Sequence, residues 1–143
     1  MARELITFEV GGQLFGLDIT AIREIRAWSP VTRVPGVPHY VAGMANLRGS
    51  ILPVIDLATR LGWGGTDPDE RHAIIVVDIA GKSSGLIVES VSDLIDLGDA
   101  PLQPPPNASD YSFIEGLAPI GDRMVLVLNL SALNDENSFA GGF

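Results

Sequence analysis

The sequence predicts an all-β fold of about eight to ten short strands with almost no long helix. Three observations carry this. β-Branched and aromatic runs recur along the whole chain, as in Leu5-Ile6-Thr7-Phe8-Glu9-Val10 and Ala73-Ile74-Ile75-Val76-Val77-Asp78-Ile79. Sixteen glycines and ten prolines in 143 residues supply turns between them. No long segment keeps a helical apolar period. So many short strands need closure or stacking to protect their edges, which means an antiparallel sandwich or barrel. The two halves share an outline of hairpin, connection and strand without a strict repeat, so two small barrels and one sandwich both fit.

The elements follow in order. Residues 5–10 and 13–17 flank Gly11-Gly12 and read as a β-hairpin. Asp18 is placed to cap a short helix in which Ile19, Ile22 and Ile25 recur every three residues; a strand over the same residues is the other reading. Pro30, Pro35 and Pro38 impose extended or turning backbone, with a brief edge strand at Thr32-Arg33-Val34. Gly43 and Gly49 point to short irregular structure across residues 40–49. Residues 50–55 read as a strand that is at an edge or bulged at Pro53, which has no N–H to give a ladder. Asp56 to Gly62 predicts one helical turn with a glycine stop, and residues 64–71 a polar surface loop. Residues 73–79 and 84–88 form a second hairpin, and residues 91–97 a further strand. Pro104-Pro105-Pro106 marks a loop or polyproline stretch over 102–110. A short strand in 113–120, a strand at 123–128 and a final turn at 131–133 complete the fold, and residues 135–143 are expected to be a frayed tail.

Composition excludes several classes of function. The net charge is −9, the reverse of what drives phosphate binding, so nucleic acid and anionic membrane surfaces are not expected partners. No apolar run is long enough to span a membrane, the N-terminus carries no secretory pattern, and a cytoplasmic location is expected. There are no cysteines and only two histidines, His39 and His72, so no metal or thiol chemistry is expected. Gly81-Lys82-Ser83 has the ending of a phosphate loop but not its leading glycine, and reads as a hairpin turn. Asp67, Asp69 and Glu70 lack calcium-loop spacing and read as a solvated loop. No nucleophile–base set stands out, so neither catalytic residues nor a cofactor are expected. A small-molecule-binding β-barrel is the distant alternative, and it requires a deep pocket.

One run is distinctive: Asn46-Leu47-Arg48-Gly49, three residues, then Pro53-Val54-Ile55-Asp56-Leu57. It resembles the signature of the CheW family, the coupling proteins of bacterial chemotaxis. Phe15 to Ile19, Ile22 to Arg26, Thr32 to Pro38, Gly85 to Val88 with Val91 to Asp93, and Gly116 to Leu130 resemble the family's other segments in the same order. The resemblance covers about residues 4–134 and implies one CheW-like domain of two packed, five-stranded SH3-like β-barrels. It implies a non-enzymatic adaptor joining the regulatory domain of a CheA-type histidine kinase to the cytoplasmic tip of chemoreceptors, at membrane-associated arrays but without insertion. A non-flagellar chemosensory pathway is the alternative within the same class. The chain ends soon after the last matched strand, so a stand-alone adaptor is expected rather than a receiver fusion or a whole kinase.

By the same resemblance Arg48 pairs with Glu24 near a receptor-facing groove, where Ile19 and Ile22 also lie. The pair has a purely structural reading as well, and the isoleucines equally fit core packing. Asn46, Leu47, Gly49, Pro53, Asp56, Asp122 and Arg123 are expected to determine the fold. Trp28 departs from the family pattern and is expected to stand exposed as a partner-surface anchor. The glycine-rich Gly62-Trp63-Gly64-Gly65-Thr66 departs too, and either change can alter which partner is recognised.

Overall fold

A computed structural model of the chain describes residues 3–104 and 113–133. These residues form ten strands: β1 (Arg3–Val10), β2 (Gln13–Asp18), β3 (Ile22–Ala27), β4 (Val41–Leu47), β5 (Ser50–Asp56), β6 (Ala73–Ile79), β7 (Lys82–Val88), β8 (Ser90–Gly98), β9 (Ile114–Ile120) and β10 (Arg123–Leu128). Two one-turn helices, α1 (Leu57–Arg60) and α2 (Leu130–Leu133), follow β5 and β10. The strands form two five-stranded sheets, β8-β1-β2-β10-β9 and β3-β6-β7-β5-β4. Both are antiparallel except at one central parallel contact, β2 with β10 in the first and β5 with β7 in the second. The chain leaves the first barrel after β2, builds the whole second barrel, and returns at β8. The frayed tail expected at 135–143 and most of the proline loop lie outside the described residues.

Local chemistry explains the hairpins. Gly11-Gly12 and Ala80-Gly81 both place two successive residues at positive φ (60° and 77°, 53° and 83°). That backbone has the twist a two-residue hairpin needs. The helix expected after Asp18 shrinks to a single 3-10 turn, Ile19–Ala21, capped by the Asp18 carboxylate, which accepts from the Thr20 N–H. Ile22–Ala27 is instead a strand paired with β6, the other reading of the same residues, because ladder pairing suits β-branched side chains better than a second helical turn.

Three expectations are corrected. Residues 41–47 are a regular strand, not irregular structure. Gly43 is there because a Cβ would collide with the Thr32 carbonyl, where Thr32 and Met44 exchange backbone hydrogen bonds of 2.9 and 2.7 Å. The brief edge strand expected at 32–34 is only this single bridge. Pro53, expected at an edge or bulge, lies inside the sheet between β7 and β4. It stands opposite Met44, which turns its own N–H and carbonyl to Thr32, so no bond to β4 is forfeited. The parallel ladder with β7 begins one residue later, at Val54.

Three apolar clusters hold the molecule together. Leu5, Leu14, Ala118, Val125 and Val127 fill the first barrel, and Val54, Ile74, Val76 and Ile87 fill the second. The largest cluster lies between them: Phe8, Val10, Phe15 and Leu17 from the first barrel meet Ile55, Ile75, Val77 and Leu86 from the second, with Leu57 of α1 and Leu133 of α2. Phe8 and Phe15 stack there at 5.8 Å between ring centroids. Each such side chain, once buried, contributes about 1.5–3 kcal/mol. The seam is therefore a true core, and the barrels form one body.

The barrels repeat one another in permuted order. β4, β5 and α1 start at residues 41, 50 and 57, and β9, β10 and α2 at 114, 123 and 130, a constant offset of 73. Gly43 and Gly116 match, and Gly116 is likewise pressed against backbone, at Gln103, where Gln103 bridges Leu117. The β6–β7 hairpin corresponds to β1–β2, with Gly85 and Gly16 both facing side chains across the parallel contact. The first barrel thus takes its β1–β2 hairpin from the start of the chain and the rest from the end, which hides the repeat from a linear reading.

Candidate functional site

The signature run is a turn whose residues have separate jobs. Leu47 packs against the core of the second barrel. The Asn46 side-chain carbonyl accepts the Gly49 N–H at 3.1 Å. Arg48 and Gly49 take φ of 54° and 85°, which makes Gly49 the natural residue at the second position. Arg48 is thereby held at the apex of the β4–β5 hairpin with its side chain 81% exposed.

Glu24 faces it from β3. Its Oε1 lies 3.8 Å from an Arg48 terminal nitrogen, while its Oε2 accepts a 3.0 Å bond from Arg26. The two expected mates are together, but Arg26 is the closer partner. Arg23, next along β3, pairs with Asp78 at 2.8 Å. These charges surround a shallow depression of about 600 Å³ that is also lined by Lys82, Pro53 and Ile51, and the Ile51 side chain is 73% exposed. The arrangement can grip a partner with exposed Ile51 beside a mostly basic rim of Arg23, Arg48 and Lys82, with Glu24 as the acid among them, the anatomy of a small interface with a polar rim.

Ile19 and Ile22 separate. Ile19 is exposed on the 3-10 turn, which packs on β1. Ile22 is half-buried and leans on the inter-barrel core. On β8, exposed Leu94 stands opposite Ile6 of β1. The exposure of Leu94, Ile25 and Ile51 was not legible in the sequence, because strand burial depends on which face the other barrel covers.

Trp28 corrects an expectation. It does not stand exposed: it is half-buried, packs against the second barrel's core, and has its indole nitrogen buried. The exposed tryptophan is Trp63, which lies 5.6 Å from Phe15 across the seam and against Gly11.

Asp56, the one carboxylate of the signature, is buried. It caps α1 by accepting the Thr59 N–H at 3.4 Å, and ties down the following loop by accepting the Thr66 N–H and hydroxyl at 2.8 Å each. Asp122 is exposed in the β9–β10 turn beside Gly121, and Arg123 reaches Glu9 of β1 at 3.9 Å. In the first barrel Arg3 grips Glu115 through both terminal nitrogens at 2.9 Å and Asp18 at 3.2 Å. The Glu115 bonds raise the Arg3 pKa. The Thr20 hydroxyl, its N–H and Arg3 hold the Asp18 carboxyl below the usual carboxylate range.

Charge is unevenly divided. Residues 22–88, the second barrel, carry seven bases against six acids, whereas residues 1–21 and 89–143 carry two bases against twelve acids. Among the described residues no group of three or more potential metal ligands comes together, and no helix is long and apolar enough to cross a membrane.

The CheW-like domain family model matches residues 4–137. The chain belongs to the CheW family. The probable chemotaxis protein CheW of Rhizobium etli is 44% identical over 137 residues, covering 94% of this chain and 88% of that protein. Chemotaxis protein CheW of Rhizobium meliloti is 44% identical over 134 residues, covering 92% and 86%. The crystal structure of the scaffolding protein TtCheW from Thermoanaerobacter tengcongensis matches with a TM-score of 0.86 at 35% identity, over 94% of each chain. The two-barrel CheW fold expected from the signature is therefore the fold of this protein, and the family's role as a chemotaxis scaffold is its role.

Proposed function

We propose that this CheW-family chain couples a CheA-type histidine kinase, through that kinase's regulatory domain, to the cytoplasmic tip of chemoreceptors. It acts in the cytoplasm at receptor arrays and performs no chemistry. The observation that supports this most directly is whole-length correspondence with a scaffolding protein, at 94% of both chains. The filled seam fits a connector: two barrels on a common core transmit a displacement instead of absorbing it. The same filled seam weighs against a small-molecule barrel, which needs an enclosed pocket there.

The receptor-facing surface centres on Arg48 and Glu24 and takes in the exposed Ile19 and Leu94, while Ile22 packs on the inter-barrel core. Arg48 offers a planar fork of donors at a fixed apex, suited to a carboxylate on the receptor helices. Trp28 acts by shaping the second barrel, not by touching a partner.

The test is reconstitution with receptor-bearing membranes and cognate kinase. Wild-type chain should bind the isolated regulatory domain and raise receptor-dependent kinase activity. Arg48→Ala and Glu24→Ala should keep regulatory-domain binding and lose most of the receptor-dependent gain. Full receptor coupling in both variants would refute the placement, and an absence of kinase binding by the wild type would refute the adaptor role.

A further inference from the structure

We infer that Arg60 is a positioning residue of the coupling: it clamps α1 of the second barrel to α2 and Phe113 of the first and so fixes the angle between the barrels. The inference rests on the adaptor reading above for its functional consequence, though not for its geometry.

Arg60 ends α1, in the second barrel, and its side chain crosses the seam. Its Nε donates to the Leu133 carbonyl at 3.4 Å and a terminal nitrogen to the Ala132 carbonyl at 3.3 Å. Those are the carbonyls of the last two residues of α2, so the bonds tie α1 directly to α2. The guanidinium also lies over two rings, 4.6 Å from the Tyr40 centroid and 4.7 Å from that of Phe113. Both distances are well within cation–π range.

The two rings are equivalent. Tyr40 and Phe113 are separated by the same 73 residues as the repeated hairpins, and each leads into one of them: Tyr40 into β4, Phe113 into β9. The Tyr40 carbonyl accepts the Asp56 N–H at 2.8 Å, and the Phe113 carbonyl accepts the Asn129 N–H at 2.7 Å, again 73 apart. Arg60 therefore occupies the axis relating the barrels, between corresponding rings. Its own counterpart at the same offset is Leu133, buried in the seam.

The grip is directional, unlike the surrounding core. Close-packed apolar contacts stiffen the seam but set no particular angle, because burial is non-directional. A planar guanidinium bonded to two carbonyls and laid over two rings does set one. Trp63, three residues on, adds a second hold from the same segment through its contact with Phe15 of the first barrel. Lysine keeps the charge at this place but loses the fork and the flat face.

The chain has no cysteine, so spin labels can be placed uniquely at Lys82→Cys in the second barrel and Met124→Cys in the first, both exposed positions. In the wild-type background the inter-barrel distance distribution should be narrow. Arg60→Met should broaden or shift it and speed amide exchange across Leu130–Leu133 by about tenfold, as local opening becomes cheaper. In reconstitution, Arg60→Met should bind the kinase regulatory domain within about threefold of wild type but lower receptor-dependent kinase activation about threefold or more, with Arg60→Lys between the two. A distance distribution in Arg60→Met indistinguishable from wild type overturns the inference. If that variant fails to fold, Phe113→Leu removes one stacking face instead, and an unbroadened distribution there overturns it equally. Should the wild-type chain neither bind nor activate the kinase, the adaptor reading falls while the spin-label distances still decide the clamp.

Discussion

Replacing Asp56 with alanine should detach the loop that follows α1 and lower stability by about 3 kcal/mol. The carboxylate is 92% shielded, at 8% exposure, and accepts three hydrogen bonds. The cap to the Thr59 N–H is long, so its loss costs at the low end of capping values, about 0.5 kcal/mol. The two bonds from Thr66 are short and charge-assisted, and together account for about 2.5 kcal/mol, at the low side of the range because the freed Thr66 is half-exposed and regains water. For a chain of this length about 3 kcal/mol corresponds to a fall in Tm near 10 °C. Urea melts followed by tryptophan emission read the effect, since Trp63 sits in the tethered loop. Amide exchange should rise first at Thr59 and Thr66. Asp56→Asn, which keeps one acceptor oxygen, should lose roughly half as much. An alanine variant within 0.5 kcal/mol of wild type, on the order of normal surface scatter, would refute the claim that this signature aspartate is a loop tether.

Other perturbations separate fold from contact. Gly43→Ala should cost about 2–3 kcal/mol, because the new methyl must displace the Thr32 carbonyl and break its paired hydrogen bonds with Met44; denaturant midpoints check it. Arg48→Ala should change stability by less than about 1 kcal/mol, since its ion pair is long and solvent-facing, so any loss of receptor coupling in that variant is not a folding defect. Acid should weaken the first barrel in a defined way. The Asp18 carboxyl has a folded-state pKa below its unfolded value, so its contribution is present above the unfolded pKa near 4 and is lost as pH falls through the lower folded value. Asp18→Asn should flatten that limb of the stability–pH curve, and an unchanged limb would remove Asp18 as its source.

Much of the fold was legible because hairpins announce themselves locally. Gly11-Gly12 and Ala80-Gly81 are two-residue turns between β-branched runs, and the chain's own backbone preferences settle them. The strand and helical turn from Ser50 to Gly62 were legible for the same reason, whereas the β4 strand and its Arg48-Gly49 hairpin turn, read as irregular structure, were not. The helix-or-strand question at 19–27 was not local. One turn was fixed by the Asp18 cap, and the remainder was decided by β6, some fifty residues away. Gly43 looked like a breaker and is a point of close approach, a difference visible only once Thr32 arrives beside it.

What the sequence determined alone is the set of turns, the strands between them, the absence of a thiol or a histidine cluster, and the family those motifs belong to. Tertiary structure decided which strands share a barrel, because the first barrel closes only when β8, β9 and β10 return to β1 and β2. It decided which apolar faces were left over. Trp28 went inward and Ile51 outward although both are apolar residues on strand-like segments. It also brought Arg60 between Tyr40 and Phe113. The physical reason is common to all three. Strand periodicity tells which side chains lie together on one face of a sheet, but only the packing of one sheet on another says whether that face meets core, seam or water.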